Sequence, residues 1–302
     1  MPISIFGFQA LWSPYFLGFL ILVTAGYFLV TVKWRNKFEG DEPLTKRQGA
    51  LFVASMVILY AVKGSPIDLL GHIMFTYHMI QMAVLYLVVV PLFLRGIPWW
   101  VWKKIIDHPV VKPVFAFFTK PLIALILFNG LFSIYHLPIV FDYVKMSVAL
   151  HTLYTVALFI FALFMWWPLL NTMPDGKKLG GLRKIGYIFA DGILLTPACG
   201  LIIFASAPVY ATYSDASAWI QAMELCVPTG TLQQLNLTGP ELFSSMPILE
   251  DQQLGGVIMK IIQEIVYGYI LALVFFEWAR KEREKEGQAD EALLQHQTNY
   301  MK

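Results

Sequence analysis

The chain has 302 residues, of which 58% are hydrophobic, 15% aromatic and 14% charged, with a formal net charge of +2. That balance lies outside the range of soluble domains and excludes both a water-soluble enzyme and a nucleic-acid-binding protein as the class. Two cysteines are too few for a disulfide framework, and a single Cys199–Cys226 bridge has no support from spacing.

A membrane-crossing helix needs about 20 mainly apolar residues, and seven stretches qualify: about 11–32, 48–62, 68–94, 114–135, 146–170, 185–210 and 254–278, the second being the shortest. Lys33, Arg35, Lys37, Lys46 and Arg47 follow the first stretch, and Arg95, Lys103, Lys104, Lys112 and Lys120 follow the third. Lys177, Lys178, Arg183 and Lys184 follow the fifth, and Arg280, Lys281, Arg283, Lys285 and Lys302 lie beyond the seventh. The opposite connections hold only Lys63 and Lys145. Basic residues collect in cytoplasmic connections, so the pattern predicts an outer N-terminus and a cytoplasmic C-terminus. The expected fold is an all-α, polytopic bundle of seven transmembrane helices over residues 1–280, followed by a charged cytoplasmic tail at 281–302 that continues the last span as a helix.

No basic n-region or small-residue cleavage pattern precedes the first stretch, which is read as a retained span. Pro98, Trp99, Trp100, Trp102, Lys103 and Lys104 have the aromatic and basic character of an inner-interface anchor. The longest connection, about 211–253, has no Lys or Arg but carries Asp215, Glu224, Glu241, Glu250 and Asp251, which makes it an acidic outer loop. A short helix is expected at 216–225.

Four of the six histidines, His72, His78, His136 and His151, fall in or beside the outer ends of apolar stretches. Ionisable groups are costly in lipid, and a shared depth is therefore a functional clue. His72 is placed about one turn deep in the third span and His78 about 9 Å deeper on the same helix. Met79 is spaced with His72, and Met74 and Met82 are spaced with His78, at helical intervals. Imidazole mixed with thioether suits Cu(I), a soft ion. The short link 137–145 makes the fourth and fifth spans neighbours and brings His136 and His151 to one depth. In the seventh span Met259, Lys260 and Glu264 occupy the outer half, with Lys260 and Glu264 at ion-pair spacing. No phosphate-binding Gly loop, His-Glu-x-x-His pair or Gly-x-Ser-x-Gly elbow is present, and no catalytic function is expected.

The run Gly71-His72-Ile73-Met74-Phe75-Thr76-Tyr77-His78-Met79-Ile80-Gln81-Met82, continuing to Pro91-Leu92-Phe93-Leu94-Arg95-Gly96-Ile97-Pro98, resembles the signature of the seven-span CtaG-type (caa3) cytochrome c oxidase assembly factors. His151 followed by Trp166-Trp167-Pro168-Leu169, and Asp251-Gln252-Gln253-Leu254-Gly255-Gly256, fit the same pattern. The resemblance implies a multi-pass protein of the bacterial cell membrane that works with caa3-type oxidase subunits, with copper supply as its role and an outer-side copper donor as a further partner. Many relatives carry a second His where this chain has Met82. The ligand set implied by residues and resemblance together is His72, His78 and His151, helped by His136, Met79 and Met82, binding Cu(I) transiently. Met74, Met246, Asp251, Met259, Lys260 and Glu264 are auxiliary, with Met246, Glu250 and Asp251 met first by copper from outside. Other readings stay open. Two facing histidines such as His78 and His151 could ligate a haem b. A copper transporter would need matching ligands in the cytoplasmic half, which the sequence does not supply, and a metal-free scaffold would use the histidines as packing. Small-residue spacings define no homo-oligomer face.

Overall fold

The computed structural model describes residues 1–38, 42–174, 179–235 and 237–300; Lys177, Lys178 and Lys302 lie outside the described residues. In chain order the helices are α1 Phe8–Lys33, α2 Lys46–Lys63, α3 Pro66–Ile73, α4 Phe75–Gly96, α5 Trp99–Ile106, α6 Val111–Phe118 and α7 Pro121–Tyr135. They continue with α8 Pro138–Lys145, α9 Val148–Leu170, α10 Gly181–Ile203, α11 Ala211–Ser214, α12 Ala216–Met223, α13 Thr229–Gln234 and α14 Ile248–Tyr300. Helices α1, α4, α9, α10 and α14 are each long and apolar enough to cross a membrane. Counting α2 with α3, bent by 44°, and α6 with α7, bent by 81°, as one span each gives seven. The molecule is a multi-pass membrane helix bundle, and α14 carries the tail as one continuous helix to Tyr300.

The third apolar stretch departs from expectation. It does not run as one helix from residue 68: Met74 is extended, with φ −126° and ψ 134°, and separates α3 from α4. His72 therefore belongs to α3 and His78 to α4, and helical spacing does not relate them. A break strands the first N–H groups of the following helix, and in a bilayer no water is present to take them. Asp251, near the start of α14, fills that role: its carboxylate accepts from Phe75 N–H at 2.6 Å and Thr76 N–H at 3.3 Å, while the Thr76 hydroxyl donates to the Asp251 carbonyl at 2.9 Å.

Glycine lets α14 approach two neighbours at once. A Cβ on Gly255 would lie 2.8 Å from the Phe75 ring and 3.1 Å from Met79 Cγ, and one on Gly256 would lie 2.8 Å from Ile203. At the far end of the bundle Gly96 lies against the Phe52 backbone, Tyr27 donates to the Gly96 carbonyl at 2.8 Å, and Tyr27 stacks on Phe52 at 3.8 Å. Trp100 and Trp102 are buried there, with Trp102 against Trp167, so this tryptophan stretch packs inward as well as flanking the bundle.

The acidic connection folds over the opposite end as a roof. Trp219, Met223 and Val227 pack on Leu69 and Ile73 of α3 and on Phe6 near the N-terminus. Asp142 of α8 accepts from the Ala211 and Thr212 N–H groups at 2.9 and 3.0 Å and so caps α11. Tyr213 donates to the Gly71 carbonyl at 2.6 Å, and Val209 N–H donates to Gln252 at 2.8 Å. Replacing Asp251 by alanine leaves two buried N–H groups without an acceptor, at a cost of about 1–3 kcal/mol each. Its thermal midpoint in detergent is expected to fall clearly below wild type, with Asp251→Asn in between; an unchanged midpoint for alanine would contradict the capping role.

Candidate metal centre beneath the roof

The four histidines come together as two pairs rather than one cluster. His72 of α3 and His151 of α9 have ring centroids 5.8 Å apart, and His78 of α4 and His136, at the end of α7, have centroids 6.1 Å apart. The short link between spans predicts His136 and His151 at one depth; the ring neighbour of each is an imidazole from beside the Met74 break. Among the described residues no group of three or more His, Cys, Asp or Glu converges as a metal cage.

In each pair both rings present a buried nitrogen without a hydrogen-bond partner: Nδ1 of His72 and of His151, and Nε2 of His78 and of His136. The His136 Nδ1 lies 2.8 Å from the Phe132 carbonyl. A carbonyl only accepts, so Nδ1 carries the proton and the Nε2 lone pair is free, the arrangement that orients a ligating histidine. An ion held about 2 Å from one nitrogen of each ring sets the two centroids about 5–6.5 Å apart. Both separations fit, and so does the donor set: two neutral imidazoles suit an ion that accepts low coordination numbers.

The surroundings of the two pairs differ. His78 and His136 are almost fully enclosed, with Phe141 edge-on to His78 at 5.1 Å, Phe132 at 4.3 Å from His136, and Tyr135 at 6.0 Å from His78. The Tyr135 hydroxyl is also buried without a partner. His72 and His151 instead line a cavity of about 540 Å³. For haem ligation by His78 and His151 those two would face each other, whereas the ring neighbour of His78 is His136 and that of His151 is His72.

The thioethers and auxiliary residues distribute as follows. Met79 and Met82 are buried in the main core, with Met79 turned toward Gly255 of α14. Met74, Met246 and Asp251 meet at a second cavity, of about 480 Å³, between α3 and the roof, where Glu241 also contributes. Met259 is buried in the core of α14. Lys260 pairs with Glu264 at 2.9 Å and donates to Thr196 at 3.1 Å, on the α10 side of α14. Cys199 and Cys226 are both free thiols.

Sequence reasoning missed Lys145. This loop lysine at the end of α8 is fully buried, with its ammonium 3.6 Å from the Tyr213 ring centroid and 3.4 Å from the Gly71 carbonyl. It also missed why the signature begins with glycine. The Gly71 carbonyl takes Tyr213 and Lys145, and a Cβ there would sit 2.4 Å from the Gln81 amide oxygen. Gln81 in turn donates to the Val62 carbonyl at 2.6 Å and to Asp68 at 2.9 Å, so the residues of this run brace α2, α3 and α4 against one another.

The cytochrome c oxidase caa3 assembly factor family matches residues 25–281, which include both imidazole pairs, the Met74 break and Asp251. The chain belongs to that family. No curated protein and no solved structure matches it. As a caa3 assembly factor of the membrane, the protein associates with oxidase components.

Burial pushes the Lys145 ammonium well below the ordinary lysine value, because the charged form has little to offset its lost hydration. The unfolded chain then binds a proton that the folded one does not, so stability rises with pH up to the unfolded lysine value, about 10.4. Lys145→Met, which keeps the aliphatic stem, is expected to hold or raise the thermal midpoint at neutral pH and to flatten its rise with pH. A marked loss of stability would show that the ammonium itself holds the roof.

Proposed function

We propose that this assembly factor takes Cu(I) as cargo at the His72/His151 and His78/His136 pairs and helps deliver it to the caa3-type oxidase. The observation that carries the reading is the presence of two imidazole pairs, each with two buried, unpartnered ring nitrogens and with ring centroids as far apart as a bridging ion would set them. Buried polar atoms are ordinarily satisfied, and one ion in each pair would satisfy these four. Imidazole pairs favour a low-coordinate ion that leaves readily, which delivery between proteins requires.

The charge pattern supports an outer position for the roof, since the roof connection carries acids and no Lys or Arg while the basic connections lie at the other end. Copper from an outer-side donor then meets Met74, Met246 and Glu241 at the roof cavity before the histidines. Met79 and Met82 give the neighbouring core a polarisable lining. The assembly role is non-catalytic in this reading.

The test is Cu(I) retention by the detergent-purified protein under reducing conditions, alongside the copper content of oxidase matured with each variant. His72→Ala with His151→Ala, and His78→Ala with His136→Ala, are each expected to lose part of the bound copper, and the fourfold variant all of it, with copper-poor oxidase. Copper-free wild type, together with oxidase of normal copper content from the fourfold variant, would overturn the proposal in favour of a metal-free scaffold. A Soret band in the wild type would favour haem.

A further inference from the structure

Helices α10 and α14 pack side by side, and the face they turn away from the bundle carries an ion pair at a depth where the neighbour is lipid. With 23 residues α10 is about 34 Å long, enough to cross the hydrocarbon, so its midpoint, Gly192, lies near the bilayer centre. Gln263 of α14 donates to the Gly192 carbonyl at 3.3 Å, which puts Lys260 and Glu264 within a turn of that level. The Glu264 side chain is 64% exposed, whereas charged groups in membrane helices ordinarily face the bundle interior. Exposed Ile261 and Ile265 flank it on α14, and Ile193 is exposed one turn before Thr196 on α10.

This face is short of hydrogen-bond donors. The Lys260 ammonium has three protons and finds three partners within the chain: Glu264 at 2.9 Å, the Thr196 hydroxyl at 3.1 Å and the Gln263 amide oxygen at 3.5 Å. The Thr196 hydroxyl gives its own proton to the Gly192 carbonyl at 2.8 Å. The second Glu264 oxygen accepts no hydrogen bond among the described residues. Pro197, exposed inside α10, has no N–H to give the Ile193 carbonyl four residues before it. Two acceptors, a carboxylate oxygen and a backbone carbonyl, therefore stand at one level with no unused donor beside them.

We infer that this face docks a transmembrane helix of an oxidase component that presents neutral hydrogen-bond donors, amide or hydroxyl side chains, at mid-depth. Lys260 already neutralises Glu264, so a cation on the partner would be left without a counter-charge. Acyl chains have no donor, and lipid head groups lie half a bilayer away. A second copy packed through the same face would bring carboxylate against carboxylate, because a two-fold interface sets identical patches together. The pattern thus selects a different chain. Gly268, one turn beyond Glu264, has open space where a Cβ would stand, which lets a partner helix come close. This docking follows from membership of the oxidase assembly family and needs no copper.

The experiment uses the full chain in membranes of cells that make the oxidase, with photoreactive benzoylphenylalanine placed at Ile265 and, as control, at Ile160, exposed at mid-length of α9. Adducts are assigned to oxidase subunits by mass spectrometry. An oxidase adduct is expected from Ile265 and not from Ile160. Lys260→Met with Glu264→Leu, which replaces the pair by apolar side chains, is expected to remove the adduct while the thermal midpoint in detergent stays at or above wild type. Gly268→Leu, which fills the approach and leaves the ion pair, is expected to weaken the adduct too, and keeps the test decisive where the double variant fails to fold. No oxidase adduct at Ile265, an adduct with a second copy in its place, equal yield from Ile160, or full retention by the folded variants would each overturn the inference. Copper chelation is expected to leave the adduct unchanged, so failure here does not touch the copper reading.

Discussion

Everything beneath the roof depends on a carboxylate that replaces a missing helical turn. A polypeptide crossing a membrane has to satisfy its own backbone, and the interruption at Met74 would otherwise leave Phe75 and Thr76 N–H groups stranded in a buried setting. Asp251 takes both, which ties the start of the last span to the start of the third. The interruption detaches α3 from α4, so His72 can meet α9 while His78 meets the end of α7. A continuous helix would hold the two histidines in one fixed relation, about 120° apart in direction and about 9 Å apart along the axis. Asp142 repeats the device on the roof by capping α11.

The bundle was legible because long apolar runs and the basic connections follow from bilayer thickness and charge, both written locally in the chain. The Lys260–Glu264 pair was legible for the same reason, being set by spacing on one helix. The Met74 break was not. No proline or glycine marks it, and its acceptor lies 176 residues away in sequence. The pairing of the histidines was hidden with it, since spacing along an assumed continuous helix gives the wrong facing. Lys145 was counted as a loop charge, and counting charges is blind to whether a side chain turns inward onto Tyr213. Met246 and Asp251, expected to meet copper first together with Glu250, line one cavity with Met74, and Asp251 spends its carboxylate on the backbone.

The two pairs differ in what surrounds them, and that difference gives the copper reading its internal logic. His78 and His136 sit among Phe132, Tyr135 and Phe141, enclosed on all sides, where an ion would be kept from water. His72 and His151 face an open cavity, where exchange has a route. Under the copper proposal the enclosed pair would hold the ion and the pair at the cavity would pass it on.

The most direct measurement is X-ray absorption at the copper edge on the Cu(I)-loaded wild type. The account predicts a low-coordinate first shell of nitrogen with the outer-shell scattering of imidazole rings, diminished when either histidine pair is removed. A shell dominated by sulfur, or a spectrum unchanged by loss of all four histidines, would contradict it.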